Sequence, residues 1–192
     1  VAQGDSRVCV VVGVGPGLGV SAAKKWAAEG FQVALLSRTL QKLQAVSAEI
    51  PNSKPFAADA SDAESLTAAL TAVETTMGPI HTVVYNAGRG IFGTYDKITV
   101  GDLESCMRVN VYGLLTCAQF VGSKMAASDG GGVIVITGAT ASLRGKPFTA
   151  AFAPSKAAQR MLAQSLARDL GPKGVHVCYA IIDGMIGSIG GD

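Results

Sequence analysis

RVCVVVGVGPGLGVSAAKKWAAE, residues 7–29, is the stretch that decides the fold. Its first six residues form an apolar, β-branched run of the kind a strand buried on both faces requires. Glycines follow at 13, 15, 17 and 19, and residues 18–29 then carry an amphipathic helical pattern. Backbone can approach an anion closely at such a turn because no side chain blocks it. The helix start adds free N–H groups and the positive end of its dipole. GxGxxG does not fit, since its third glycine falls on Leu18 counted from Gly13 and on Val20 counted from Gly15. GxxxGxG fits with Gly13, Gly17 and Gly19, and a Walker loop is excluded because no Gly-Lys-Ser/Thr follows. The plain alternative is a tight turn that holds no ligand. Strand, glycines and helix in this order favour dinucleotide binding over it.

Outward from this unit the same alternation repeats. Strand-like runs fall at 31–36, 54–57, 80–85, 133–137 and 175–182, and helical patterns at 40–49, 62–77, 100–126 and 152–170. Ser61 or Asp62 is the N-cap of the helix over 62–77, and Gly171-Pro172 ends the one over 152–170. Strands that are apolar on both faces and separated by helices imply an α/β protein with a parallel sheet covered on both sides. Right-handed crossovers make it a doubly wound, Rossmann-type sheet with strand order 3-2-1-4-5-6. No repeat, low-complexity tract or linker interrupts the pattern, so residues 1–192 read as a single domain.

Composition narrows the function classes. Hydrophobic residues make up 48% and charged residues 16%, enough apolar surface for a full core and too much for a disordered chain. Sixteen Lys and Arg against 14 Asp and Glu give a net charge of +2, with no basic run beyond Lys24-Lys25. That balance points away from nucleic acid and anionic membranes. No apolar stretch reaches the length of a membrane span, and 1–7 (VAQGDSR) does not read as a leader, so a cytoplasmic protein is expected. Cys9, Cys106, Cys117 and Cys178 show no CxxC spacing and no nearby histidine pair, so no metal site is expected. Cys9 and Cys178 read as small core residues. His81 and His176 begin strands, at the end of a parallel sheet opposite its ligand crevice, and read as structural.

Where the second strand ends, a site for a ribose 2′-hydroxyl would carry an acid; this chain has Ser37-Arg38. Arg38 pairs with a 2′-phosphate in one reading, favouring NADP(H) over NAD(H), and is a solvated turn arginine in the other.

Further positions agree in order and distance. Asp59-Ala60 follows the third strand and Tyr85-Asn86-Ala87-Gly88 the fourth; Asn110 sits in MRVNV and Lys156 in FAPSK. With the glycine motif, including Leu18, these resemble the short-chain dehydrogenase/reductase family over nearly the whole chain. The resemblance implies adenine contacts at Asp59-Ala60 and cofactor contacts at Asn86, Ala87 and Gly88. It implies that Asn110 supports the active site through a water and that Lys156 hydrogen-bonds the nicotinamide ribose. A small-molecule substrate follows from it, as does a homodimer or homotetramer built on the helices over 100–126 and 152–170.

Three departures set this chain apart. Phe152 occupies the family's catalytic tyrosine position and Ala139 that of its serine, thirteen residues upstream. Ile182-Asp183-Gly184 stands where the family has Pro-Gly, and the chain ends at Asp192 after Gly187-Ser188-Ile189-Gly190-Gly191, short of the family's C-terminal segment. Hydride delivery to a carbonyl develops an alkoxide that needs a proton. A phenol with pKa ~10 can be tuned to supply it by an adjacent lysine, whereas a phenyl ring cannot. Loss of a general acid costs roughly 10²- to 10⁴-fold in rate. Thr140, Ser142, Tyr112 and Tyr95 are the substitute donors nearby, each with an ordinary structural reading; Tyr112, two residues past Asn110 on a helix, points away from it. The expected function is NADP(H)-dependent hydride transfer to or from a carbonyl, an alcohol or an activated double bond, the last being least damaged by the missing hydroxyl. The rival is a nucleotide-binding protein without turnover, a sensor or assembly partner.

Overall fold

The computed structural model describes residues 7–184 and 186; the glycine-rich stretch 187–191 lies outside the described residues. Six parallel strands, β1 (Val8–Val12), β2 (Gln32–Ser37), β3 (Ser53–Ala57), β4 (Ile80–Tyr85), β5 (Gly132–Ala139) and β6 (Val175–Ile182), form one sheet in the order β3-β2-β1-β4-β5-β6. Between them run α1 (Leu18–Ala28), α2 (Leu40–Ala48), α3 (Ala63–Met77), α4 (Val100–Met107), α5 (Gly113–Ala126) and α6 (Phe152–Leu170). The doubly wound α/β architecture and its strand order are as the sequence pattern implies.

The run VCVVV is apolar throughout because β1 is central and covered on both faces. Val8, Val10 and Val12 pack with α3 and α5 in one cluster, together with Leu66, Leu70 and Leu114. Cys9 and Val11 face the other cluster, with Ala23, Leu35 and Leu43 beneath α1 and α2. Each fully buried aliphatic side chain contributes about 1.5–3 kcal/mol, so the two layers fix β1 and thereby the glycine turn that follows it. Asp62 is the N-cap of α3, its carboxylate accepting from the N–H of Glu64 and Ser65 at 2.9 and 3.2 Å. Among the described residues no helix is long and apolar enough to cross a membrane.

The helix expected over 100–126 is not continuous. α4 starts on a capping box, Thr99 with Asp102, and after Met107 a π-helical turn, Arg108–Tyr112, inserts before α5. The wider turn moves backbone carbonyls out of ordinary helical register. One of them, that of Val109, accepts from the buried hydroxyl of Tyr85 at the end of β4. Gly113 makes room for this, since a Cβ there would fall on the Tyr85 hydroxyl and on the carbonyl oxygen of Ala60. Tyr85 thus partners the turn from the first position of Tyr85-Asn86-Ala87-Gly88. A second correction concerns Cys178, which is only half-buried because β6 is an edge strand and lacks cover on its outer residues.

Tyr85→Phe leaves the Val109 carbonyl without its donor in a dry site and is expected to cost about 1–3 kcal/mol in urea unfolding. Gly113→Ala, which puts a methyl group into backbone and hydroxyl together, is expected to cost more. A Tyr85→Phe variant as stable as wild type would show that the turn does not depend on this bond.

Candidate active site

The C-terminal ends of β1, β2, β3 and β4 converge on a groove of about 590 Å³, at the point where strand order reverses between β1 and β4. Gly13, Ser37, Arg38, Asp59, Ala60 and Gly88 are among its lining residues, so residues separated by up to 75 positions meet on one surface. Arg38 is exposed at the β2 end of the groove. The Asp59 carboxyl is held below its ordinary value mainly by hydrogen bonds from the hydroxyl and N–H of Ser61, at 2.7 and 2.8 Å, with the nearby Arg38 charge adding to them.

The glycines divide into two kinds. Gly13, at φ +89°, has a Cβ position 2.5 Å from backbone atoms of Ala87, and the Cβ position of Gly19 lies 2.7 Å from the Gly13 carbonyl oxygen. Both are glycine because strand, loop and helix pack backbone on backbone. Gly15 meets nothing within 4 Å and Gly17 only one atom, at 3.9 Å, so this part of the turn is open. Gly17 precedes α1, whose first-turn amides have no carbonyl of their own helix to bond, and no acidic side chain occupies that turn. An open, amide-rich loop beside an arginine fits the diphosphate of a dinucleotide. Asn86 holds the loop from below: its Nδ2 donates to the Gly13 carbonyl at 2.8 Å, and its Oδ1 accepts from the Thr137 hydroxyl at 2.9 Å.

Lys156 lies next to the groove, beside its lining residue Gly88. It is 5% exposed, and burial brings its ammonium down from 10.5 to about 8. Nζ donates to the Thr137 carbonyl at 2.9 Å and to Gln159 Oε1 at 3.0 Å. The Gln159 amide in turn donates to the carbonyl of Asn110 at 2.7 Å. Asn110, fully buried in the π-turn, clamps the backbone of Arg89 in both directions at 2.9 Å and donates to the Ser155 hydroxyl at 2.8 Å. The backbone after Asn86-Ala87 is thereby pinned, and Gly88 is placed so that a Cβ on it would lie 3.8 Å from Nζ. Gln159 and Thr137 are the members of this network that sequence reasoning missed. Gln159 carried a signal, three residues after Lys156 on the same helical face; the Thr137 contribution is a backbone carbonyl and leaves none.

The expected substitute donors do not assemble here. Thr140 donates to Asp183 at 3.1 Å, Ser142 is buried, and Tyr95 and Tyr112 are 88% and 50% exposed. Ser155 donates to the Phe152 carbonyl at 2.8 Å. Phe152 lies against Phe92 instead, ring centroids 5.1 Å apart, with Phe92 59% exposed. A backbone bridge, Gly93 to Thr149, with the Gly93 N–H donating to the Phe148 carbonyl at 2.8 Å, holds the loop bearing Phe92 against the one leading into α6. The wall beside Lys156 is therefore aromatic. His81 and His176, at the N-terminal ends of β4 and β6, lie on the opposite side of the sheet from the groove.

The depressed Lys156 value has a defined consequence for stability. The folded site prefers the neutral amine, so a charged lysine lowers stability below pH 8, and the loss fades as pH rises toward 10.5. The full gap corresponds to about 3 kcal/mol. Wild type is expected to gain about 2 kcal/mol relative to Lys156→Met between pH 7.5 and 9.5 in paired urea titrations. A difference that stays flat over that range would show that burial does not lower the Lys156 ammonium, the folded and unfolded chains then holding the same proton throughout.

The short chain dehydrogenase profile matches residues 7–188. L-xylulose reductase of Mus musculus is 30% identical over 171 residues, covering 89% of this chain and 68% of that enzyme. A short-chain dehydrogenase from Rhodopseudomonas palustris superposes with a TM-score of 0.88 at 34% identity, over 93% of this chain and 85% of that one. A gluconate 5-dehydrogenase from Burkholderia cenocepacia J2315, solved in complex with NADP and tartrate, gives 0.83 at 26% identity over 93% and 71%. A nearly chain-long profile match, a parallel sheet in 3-2-1-4-5-6 order and a groove at its switch point agree: the chain belongs to the short-chain dehydrogenase/reductase family of oxidoreductases.

Proposed function

We propose that this chain binds NADP(H) in preference to NAD(H) and moves hydride between the nicotinamide and a small molecule carrying a carbonyl, an alcohol or an activated double bond. The observation that carries the reading is one groove that joins Arg38 and Gly15 of the open glycine turn to Gly88, next to which the buried Lys156 ammonium lies. Arg38 supplies the charge for a 2′-phosphate, Gly15, Gly17 and Leu18 the amide-lined turn for the diphosphate, and Lys156 a donor for the nicotinamide ribose. Gly13 and Gly19 shape the turn, Ser37, Asp59 and Ala60 form its adenosine end, and Asn86, Ala87 and Gly88 form the floor toward the nicotinamide. The bound nucleotide supplies or takes up the hydride. The NADP-bound gluconate 5-dehydrogenase supports the nucleotide class by likeness. A cytoplasmic homodimer or homotetramer stays part of this reading through the family resemblance.

Reduction of an activated double bond is the favoured direction. With a C=C conjugated to a carbonyl, hydride from a bound nucleotide would add at the β-carbon and water would supply the proton to the α-carbon, the two electrons coming from the reduced nicotinamide. No side-chain hydroxyl is then needed at the position of Phe152 or Ala139, and the Phe92–Phe152 pair offers an apolar surface to such a substrate. The absent hydroxyls equally motivate the second reading, nucleotide binding without turnover.

Fluorescence titration with NADPH and NADH is the direct test. NADPH is expected to bind more tightly, and Arg38→Ala to weaken NADPH about tenfold or more while leaving NADH unchanged. Equal effects on both nucleotides would remove the 2′-phosphate role. Turnover of a conjugated enone supports the enzyme reading, whereas tight binding with no turnover of enones, ketones or alcohols supports the second.

A further inference from the structure

We propose that Gln159 is the positioning residue of this site: its carboxamide locks Lys156 in place and seals it from a proton route, so that the lysine serves as an anchor and the reaction takes its proton from water at the substrate. The inference rests on the hydride-transfer reading above, but its first test needs no nucleotide.

An ammonium has three donors. Two are committed, to the Thr137 carbonyl and to Gln159 Oε1, which leaves one for the crevice side, toward Gly88. Behind the lysine the bonds run from the Gln159 amide to the Asn110 carbonyl, and from Asn110 Nδ2 through the Ser155 hydroxyl to the Phe152 carbonyl. An amide accepts and donates hydrogen bonds, but it is neither an acid nor a base in the range where proteins work, so the path stops at Gln159. Gln159 is fully buried. It answers two demands at once, an ammonium that needs an acceptor and a π-turn carbonyl that needs a donor. The groups around Lys156 from each packed element are Gly88 of the loop after β4, Asn110 of the π-turn, Thr137 of β5, Gln159 with the Phe152 ring (centroid 6.0 Å from Nζ) on α6, and Tyr179 of β6, whose hydroxyl donates to the Lys156 backbone carbonyl at 3.2 Å and which burial pushes above its ordinary value; none of their side chains titrates near neutrality. With the Phe152 ring beside it, Lys156 has, among the described residues, no side-chain partner through which to give or take a proton.

Competitive acetylation with acetic anhydride from pH 6 to 10, read on the Lys156 peptide by mass spectrometry, tests the lock. In wild type Lys156 is expected to label at least tenfold more slowly than exposed Lys97. In Gln159→Leu, close in volume but without polar atoms, labelling is expected to rise at least tenfold and its midpoint to move up by one pH unit or more as the ammonium reaches solvent. Gln159→Glu, which keeps the acceptor, is expected to restore slow labelling. An unchanged rate and midpoint in Gln159→Leu would overturn the proposal. The seal is tested by returning the hydroxyls, with NADPH and butane-2,3-dione as probe. Ala139→Ser/Phe152→Tyr is expected to gain less than tenfold in diketone reduction while Gln159 is present. Adding Gln159→Ala, which opens space for water, is expected to gain a further tenfold or more. Full activity in the first variant would refute the seal. Circular dichroism identifies a variant that fails to fold, in which case the acetylation result decides. Failure to bind NADPH would sink the hydride-transfer reading and leave the acetylation result standing.

Discussion

A single buried ammonium organises the network that ties β5, the loop after β4, the π-turn and α6 together. Taking the Lys156 charge out of water is unfavourable, as its lowered titration point reports, and the cost is offset only by acceptors held rigidly in place. Those acceptors come from the end of β5, through the Thr137 carbonyl, and from α6 itself, through Gln159. Because Gln159 also bonds the Asn110 carbonyl, and Asn110 bonds the Arg89 backbone and Ser155, one charge fixes the strand end, the loop after β4, the π-turn and the helix together. Removal of the lysine strands several polar groups at once. Its structural and chemical roles are separable only by measurements that follow its ionisation.

The π-turn is the other half of that arrangement. An inserted helical residue frees carbonyls that a regular helix would have satisfied. Here each freed carbonyl meets a dedicated side chain, Val109 the hydroxyl of Tyr85 and Asn110 the amide of Gln159. Gly113 clears the space in which the Tyr85 hydroxyl sits. Tyr85 and Gly113 are therefore a matched pair, one supplying the donor and the other its space. Asn86 retains the neighbouring task of tying the glycine turn to β5.

The sheet order was legible in the sequence, because it follows from strand runs separated by helical patterns, and Arg38, Asp59 and Asn86, singled out at the ends of strands, meet on one groove. The legible part stops where backbone supplies the chemistry. The π-turn left no mark in a helical pattern that runs unbroken over 100–126. The lock on Lys156 uses the carbonyl of Thr137, which no residue type encodes. Gln159 was within reach by its helical spacing, yet nothing in composition marks a glutamine as buried. The glycine motif was read correctly in place and only partly in purpose: Gly13 and Gly19 answer to contacts within the protein, while Gly15 and Gly17 border open space. Cys178 was misread because a strand's apolar character does not say whether it lies at the edge of the sheet.

Loss of hydroxyls alone would leave the partners of those hydroxyls unsatisfied, and a site merely eroding would show such orphans around its lysine. The network described here shows no such orphan, although the buried Ser142 hydroxyl, in the turn after β5, has no hydrogen-bond partner among the described residues. Lys156, Asn110, Gln159 and Ser155 all have partners in hydrogen-bonding range, and Phe152 is packed against Phe92. The groove, by contrast, keeps an open turn and an exposed arginine, with a lysine that has one donor to spare lying next to Gly88. The side chains around Lys156 are satisfied among themselves, while the groove beside them stays open. That asymmetry is the physical reason to look for chemistry in which hydride moves under protein control and the proton does not.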